Sequence, residues 1–258
     1  MPVLGTGDSG FESRRPDSMS LEQSKIELAE VGNELEKERQ LRITHKAIEA
    51  IKENPAELGV GVSAFVTTFE DKDDVAFCLK QYRPTLRAEN RPFNNLAREM
   101  HMMEEARRAG VRTPLPFFTI EIEHENAEGD AGSNLVSYLG MERIFGYTLD
   151  QVVVGKRELP ENFDLERFME SLRDQVRRAH EQNLYHRDLH NGNLMIDWKT
   201  GNPVVIDWGQ SRICFSHDDN PYEDPSWANT ARREPYLDDD KSLRAYEIEL
   251  KRHLGLIG

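Results

Sequence analysis

Residues 186–209 read HRDLHNGNLMIDWKTGNPVVIDWG, and the rest of the chain is best understood outward from them. Asp188 and Asn193 stand at the spacing Asp-x-x-x-x-Asn, two short apolar runs follow, and Asp207-Trp208-Gly209 closes the stretch. Leu194-Met195-Ile196 and Val204-Val205-Ile206 are strand-like, and the segment between them, with Gly201-Asn202, has hairpin-turn chemistry. A tight hairpin brings Asn193, at its start, and Asp207, at its end, to one edge, with Asp188 just before it. Three oxygen-bearing side chains then converge.

That constellation suits phosphoryl transfer. Magnesium takes hard oxygen ligands and keeps waters and substrate phosphates as its other partners, so one carboxylate and one amide oxygen suffice. A separate carboxylate accepts the proton of an attacking hydroxyl. The bland alternative is an acidic hairpin without chemistry, and the upstream parts decide against it. The segment resembles the catalytic and metal-binding loops of the protein-kinase-like superfamily, H-R-D-x-x-x-x-N followed by D-F-G, with Trp208 in place of the usual Phe. The resemblance implies ATP as donor, Mg2+ held by Asn193 and Asp207, and Asp188 as the catalytic base.

Upstream, Gly59 and Gly61 open a G-x-G-x-x-A stretch that runs through Ser63 to Ala64, where the superfamily has a third glycine. Glycines let backbone amides approach phosphates closely. Val75-Ala76-Phe77-Cys78-Leu79-Lys80 resembles the V-A-I-K strand of kinases. Lys80 ends an apolar run, where a buried ammonium needs a carboxylate partner. Glu99, on a helix expected over 97–109, takes the position of the pairing glutamate; Glu104 and Glu105 are rivals that sit late in that helix. Met141-Glu142 through Gly146 resembles the hinge that joins two lobes, with Met141 behind the adenine and the backbone of Glu142 to Ile144 binding its edge.

Composition sets the bounds. The chain has 258 residues, 38% hydrophobic and 31% charged, long enough for one or two domains with a substantial core. No apolar run approaches the roughly 20 residues of a membrane span. A net charge of -14 disfavours nucleic acid or anionic lipid as a partner of the whole protein. Cys78 and Cys214 make neither a disulfide framework nor a zinc pattern, and a reducing cytoplasm is the simplest setting.

Residues 1–19, rich in Gly and Ser without periodicity, read as a disordered tail. Residues 20–50 read as a helical extension starting near Leu21, on the stripe Leu28, Val31, Leu35; it either packs on the following domain or offers a site to a helical partner. Asp164 to Gln182 is the strongest helix, with Leu165, Phe168, Met169, Leu172, Val176 and Ala179 on one face and acids before arginines. His186 reads as a core histidine bonded to backbone, without acid-base work. Arg187 follows the arginine-before-aspartate pattern that in kinases often pairs with a phosphorylated segment. After Gly209 come an irregular acidic stretch with Pro221, Pro225 and Pro235 and one helix from Lys241 to Leu254.

The expected fold is therefore α+β: a bilobal protein-kinase-like fold with a β-rich N-lobe over 51–144 and a reduced helical C-lobe over 145–258. The reduced lower lobe resembles the RIO-type and Kdo-kinase-like members. The resemblance implies an ATP-dependent kinase acting on a hydroxyl acceptor, with a protein serine or threonine favoured; a sugar or lipopolysaccharide-type small molecule, and an ATPase switch, are the alternatives. Arg187 tilts the choice to protein, because small-molecule kinases of the superfamily often have Gly there.

Overall fold

The computed structural model describes residues 25–30, 34–53, 59–60, 64–70, 76–82, 96–124, 134–213 and 238–257. The tail over 1–19, Gly61, Ser63 and most of the acidic stretch before residue 238 lie outside them. The expected α+β class is what the described residues form: an antiparallel sheet, two smaller sheets and five α-helices.

The main sheet has six strands: β1 (Lys25–Leu28), β2 (Gly59–Val60), β3 (Ala64–Glu70), β4 (Ala76–Tyr82), β5 (Pro116–His124) and β6 (Asn134–Glu142), in the order β1-β5-β6-β4-β3-β2. Period-two alternation divides its side chains. Phe77, Leu79, Phe118, Ile120 and Tyr138 form a core with Ile43, Ala47 and Ile51 of helix α1 (Glu34–Glu53). Gly140 makes room there, since a Cβ on it would lie 2.2 Å from Phe118 Cζ. Lys80 and Leu139 alternate to the opposite face, towards helix α2 (Leu96–Arg108).

Two expectations for the N-terminal segment are corrected. The helix begins at Glu34 rather than near Leu21, and Lys25–Leu28 is a strand paired antiparallel with β5. Its backbone groups find ladder partners on the sheet edge, and this outweighs the helical stripe read from Leu28. The helix is also not an open partner surface on its apolar face. Ile43 and Ala47 are fully buried, and the buried Gln40 amide donates to Ala29 O at 2.7 Å and Phe117 O at 2.6 Å.

The sheet ends at Glu142, and a second sheet begins three residues after Arg143 with β7 (Gly146–Thr148), which pairs with β9 (Leu194–Asp197) and through it with β10 (Pro203–Val205). Gly146 permits this junction, because a Cβ there would lie 2.1 Å from Ile196 O. Thr148 closes a capping box with Gln151 and starts the short helix α3 (Leu149–Val153). Helix α4 (Leu165–Glu181) has Asp164 as N-cap and buries the expected face. Strand β8 (Leu184–Tyr185) follows and pairs with β11 (Arg212–Ile213). Helix α5 (Asp239–His253) packs on α4 through Leu243, Tyr246 and Leu250. The larger core joins α2, α3, α4, α5 and the β9–β10 hairpin.

Candidate active site

Hairpin β9–β10 forms as its turn chemistry predicts, in the register Leu194↔Val205 and Ile196↔Pro203. Asp197 Oδ1 accepts from the backbone N–H of Lys199 and Thr200, both at 2.9 Å, and Gly201 takes the left-handed value φ 69 in the turn. The Ile206 N–H donates to Asn193 O at 2.9 Å, so the two ends of the hairpin meet and hold Asn193 beside the residue preceding Asp207. Asn193 Nδ2 donates to Asp188 O at 2.8 Å and to its carboxylate at 3.2 Å.

Lys80 lies between two carboxylates. Its Nζ donates to Glu99 at 2.8 and 2.9 Å and to Asp207 Oδ1 at 2.8 Å. Lys80 and Glu99 are buried, and the Asp207 side chain keeps 37% exposure, so the chain of charges runs from the interior to an open end. Burial pushes the Asp207 carboxyl upward, and the Lys80 ammonium overrides it and holds the group below the usual carboxylate range. Asp207 takes the left-handed conformation, φ 61. The rivals of Glu99 are spent elsewhere: Glu104 accepts from the Glu30 N–H and Glu105 pairs with Arg108.

Several contributors lie beyond the motifs. Arg98, next to Glu99, donates to the carbonyls of Gly209 and Ser211, so α2 grips the segment after Asp207 as well as Lys80. Trp208 is buried, and its indole N–H donates to Thr113 Oγ1 at 3.0 Å, which accommodates an indole where kinases have Phe. Asp239, at the start of α5, accepts the N–H of both His186 and Arg187 at 3.0 Å and lies 3.0 Å from His180 Nε2. It fixes the backbone that leads into Asp188. No spacing rule points to it, because it lies more than fifty residues downstream.

His186 is the core histidine expected: Nε2–H donates to Ile206 O at 3.0 Å and Nδ1 accepts the Asp188 N–H at 3.3 Å. Burial holds its pKa below the ordinary histidine value, against the opposing pull of Asp239, and burial does the same for His190. The native state therefore binds fewer protons than the unfolded chain below pH ~6.5. Stability is full above that pH and falls as the pH drops through it, by at most ~1.4 kcal/mol per pH unit for the buried His186, and the exposed His190 ring adds less because solvent screens its charge. The melting temperature is expected to decline between pH 6.5 and 5.5. A flat profile over that range would contradict the buried neutral assignment.

Glu142 has a second role beside its place in the hinge-like stretch. Its carboxylate takes both guanidinium nitrogens of Arg112 at 2.8 Å and the Leu115 N–H at 3.0 Å, and its own N–H donates to Leu115 O at 2.8 Å. Burial raises the carboxyl and Arg112 more than reverses it, leaving it below the ordinary range. A planar guanidinium facing a carboxylate turns this residue into a clamp on the 112–115 segment. Its N–H is engaged with Leu115 O on that same segment. Met141 is half-buried against the larger core, and Ile144 lines an open cleft of about 860 Å³ with Phe145, Tyr147 and Trp198. Gly59 lies in β2.

Magnesium chemistry fits the donor set. With Nδ2 of Asn193 turned to Asp188, Oδ1 is left as the other end of the amide, and Asp207 supplies an ionised, partly exposed carboxylate. Among the described residues no group of three His, Cys, Asp or Glu side chains could hold a metal, and an Asn–Asp pair is a donor set that Mg2+ completes with waters and phosphates.

A family model described as protein kinase domain matches residues 53–228. Among solved structures the chain is similar to WaaP in complex with acyl carrier protein, at 16% identity and a TM-score of 0.43, covering 91% of this chain and 100% of that one. Comparison with curated proteins yields no match. No helix among the described residues is long and apolar enough to cross a membrane.

Proposed function

The chain belongs to the protein kinase domain family, and from that membership we propose that it moves the γ-phosphate of ATP to a protein serine or threonine hydroxyl, with Asp188 as base. The observation that carries the reading is the Glu99–Lys80–Asp207 chain of charges ending beside Asn193 and Asp188. Lys80 neutralises nucleotide phosphate charge, and Glu99 holds its ammonium in place. Asn193 Oδ1 and Asp207 would hold Mg2+, which supplies charge neutralisation on the phosphates when bound. The glycine-containing stretch that begins at Gly59 is assigned to the phosphates, and Met141 with the 142–144 backbone to the adenine. Asp188 accepts the hydroxyl proton, and its carboxylate is oriented by Asn193 Nδ2.

Arg187 supports a protein acceptor. It is buried at φ 65, a conformation that glycine adopts without strain and that costs an L-residue roughly 1–2 kcal/mol. An arginine held there against that cost is present for its guanidinium, as the kinase pattern implies. Incubation with γ-labelled ATP and Mg2+, alone and with cell extract, tests the reading: label in protein supports it. Label confined to small metabolites moves the acceptor to the sugar-kinase class, and phosphate release without any acceptor points to an ATPase switch.

Lys80→Ala is expected to raise the ATP requirement about ten- to a hundredfold, since a charge-assisted hydrogen bond is worth roughly 1.5–3 kcal/mol. Nucleotide titration checks this, with a thermal melt to show that the buried Glu99 has not unfolded the domain. Unchanged affinity in a folded variant would remove Lys80 from the nucleotide site.

A further inference from the structure

The β7–β9 ladder has two ends, and only one adjoins the catalytic residues. The pair Thr148↔Met195 lies next to Asn193, and Gly146↔Asp197 closes the other end. There the Trp198 N–H donates to Phe145 O at 2.9 Å and brings two aromatic residues to the surface, Phe145 43% and Trp198 54% exposed. The Tyr147 and Trp198 rings touch, with centroids 4.9 Å apart. Two open clefts, of about 730 and 860 Å³, share this ring pair as a wall. Cations stand over the rings: Arg157 lies 4.8 Å from that of Tyr147, and Arg143 and Lys199 lie 4.7 and 5.9 Å from that of Phe145. Other surface arginines meet carboxylates instead, as Arg173 meets Glu247 and Arg177 meets Asp174. The backbone beneath the cations is fixed. Lys156 and Arg157 donate their N–H groups to Gln151 O at 3.0 and 3.1 Å, and Lys199 is bonded to Asp197 and Asn162. With Lys156 the clefts are lined by four cations against two carboxylates, Glu158 and Glu161. The whole chain has the opposite balance, 33 Lys and Arg to 47 Asp and Glu.

We propose that this aromatic and basic face docks a short acidic peptide segment of a partner protein, away from the catalytic residues. Carboxylates of the segment meet Lys156, Arg157 and Lys199, and an apolar side chain between them packs on Phe145 and Trp198. Charge complementarity selects this occupant. Within a Debye length of ~8 Å a short acidic segment meets the local cations, whereas a long polyanion also meets the net charge of -14. Single-stranded nucleic acid suits the face less well for a second reason. Its bases need open ring faces to stack on, and cations already stand over Phe145 and Tyr147. The inference does not rest on the kinase reading: a chain that transfers no phosphate still binds the segment.

The experiment titrates the full chain into a short fluorescein-labelled peptide of Asp, Glu and Leu and reads anisotropy. Saturable binding is expected, weakening severalfold between about 0.1 and 1 M salt as the Debye length shrinks from ~10 to ~3 Å. The same peptide with Asn and Gln for its acids should bind about tenfold more weakly. Arg157→Gln combined with Lys199→Gln should cost about tenfold in affinity, the size expected of two exposed charge pairs. Trp198→Ala should cost a similar factor through lost packing, and thermal melts of these surface variants show that they remain folded. Binding that does not saturate by about 1 mM peptide overturns the inference. So does a folded double variant that binds within about twofold of wild type, or an amide peptide that binds as tightly as the acidic one. A labelled oligothymidine that binds more tightly than the peptide assigns the face to nucleic acid instead. Displacement of the peptide by a non-hydrolysable ATP analogue with Mg2+ makes the clefts part of the nucleotide site, and the docking role is then wrong.

Discussion

Asp188→Asn is expected to lower phosphoryl transfer by roughly two to four orders of magnitude and to leave ATP affinity nearly unchanged. The substitution preserves shape and removes only the carboxylate that accepts the hydroxyl proton. Its size corresponds to about 3–5 kcal/mol of barrier. The geometry separates the two quantities. Asp188 touches Asn193, whereas the Lys80 ammonium binds Glu99 and Asp207, so the phosphate-facing charges stay intact when Asp188 is neutralised. Binding and transfer measured on the same preparation give the test. A variant transferring within about threefold of wild type would require another base.

The parts of this site legible in the sequence are those whose geometry is local. The β9–β10 hairpin spans a dozen residues, its turn residues are diagnostic, and its register alone brings Asn193 to Ile206. The Lys80–Glu99 pair came from a different source, the resemblance, since nineteen residues of separation carry no geometry of their own. Helix α4 was readable because its apolar face, N-cap and charge order agree.

What escaped reading is held by backbone or by distant partners. Strand β1 exposes Ile26 and Leu28, each 43% accessible, and binds β5 through main-chain groups that every residue type possesses. An edge strand of that kind leaves no pattern, and the helical stripe through Leu28 gave the competing answer. Glu142 has a second role, through its side chain, that escapes reading for a related reason. Its hinge position was recognisable, but the guanidinium that claims its carboxylate comes from Arg112, thirty residues earlier. Arg98 likewise acts on carbonyls of Gly209 and Ser211, more than a hundred residues away.

Asp239 is the strongest case of a distant residue on which the chemistry depends, and its removal should show in stability as well as rate. Its carboxylate is 2% exposed and accepts two backbone N–H groups, those of His186 and Arg187, while His180 Nε2 lies against the same oxygen as the His186 N–H. Asp239→Ala leaves those buried donors without an acceptor, at roughly 1–3 kcal/mol each. A total near 3–5 kcal/mol is a large part of the ~5–15 kcal/mol that holds a domain together. It also frees Arg187 from its left-handed conformation, which persists only while its surroundings enforce it. Asp188 follows directly, so transfer should fall even in the population that remains folded. Asp239→Asn keeps one carbonyl acceptor and is expected to lose about half as much stability. Denaturant unfolding of both variants, with hydrogen exchange at the amides of His186 and Arg187, measures the effect. If both variants unfold within about 1 kcal/mol of wild type and those amides stay protected, the α5 carboxylate does not hold the catalytic loop.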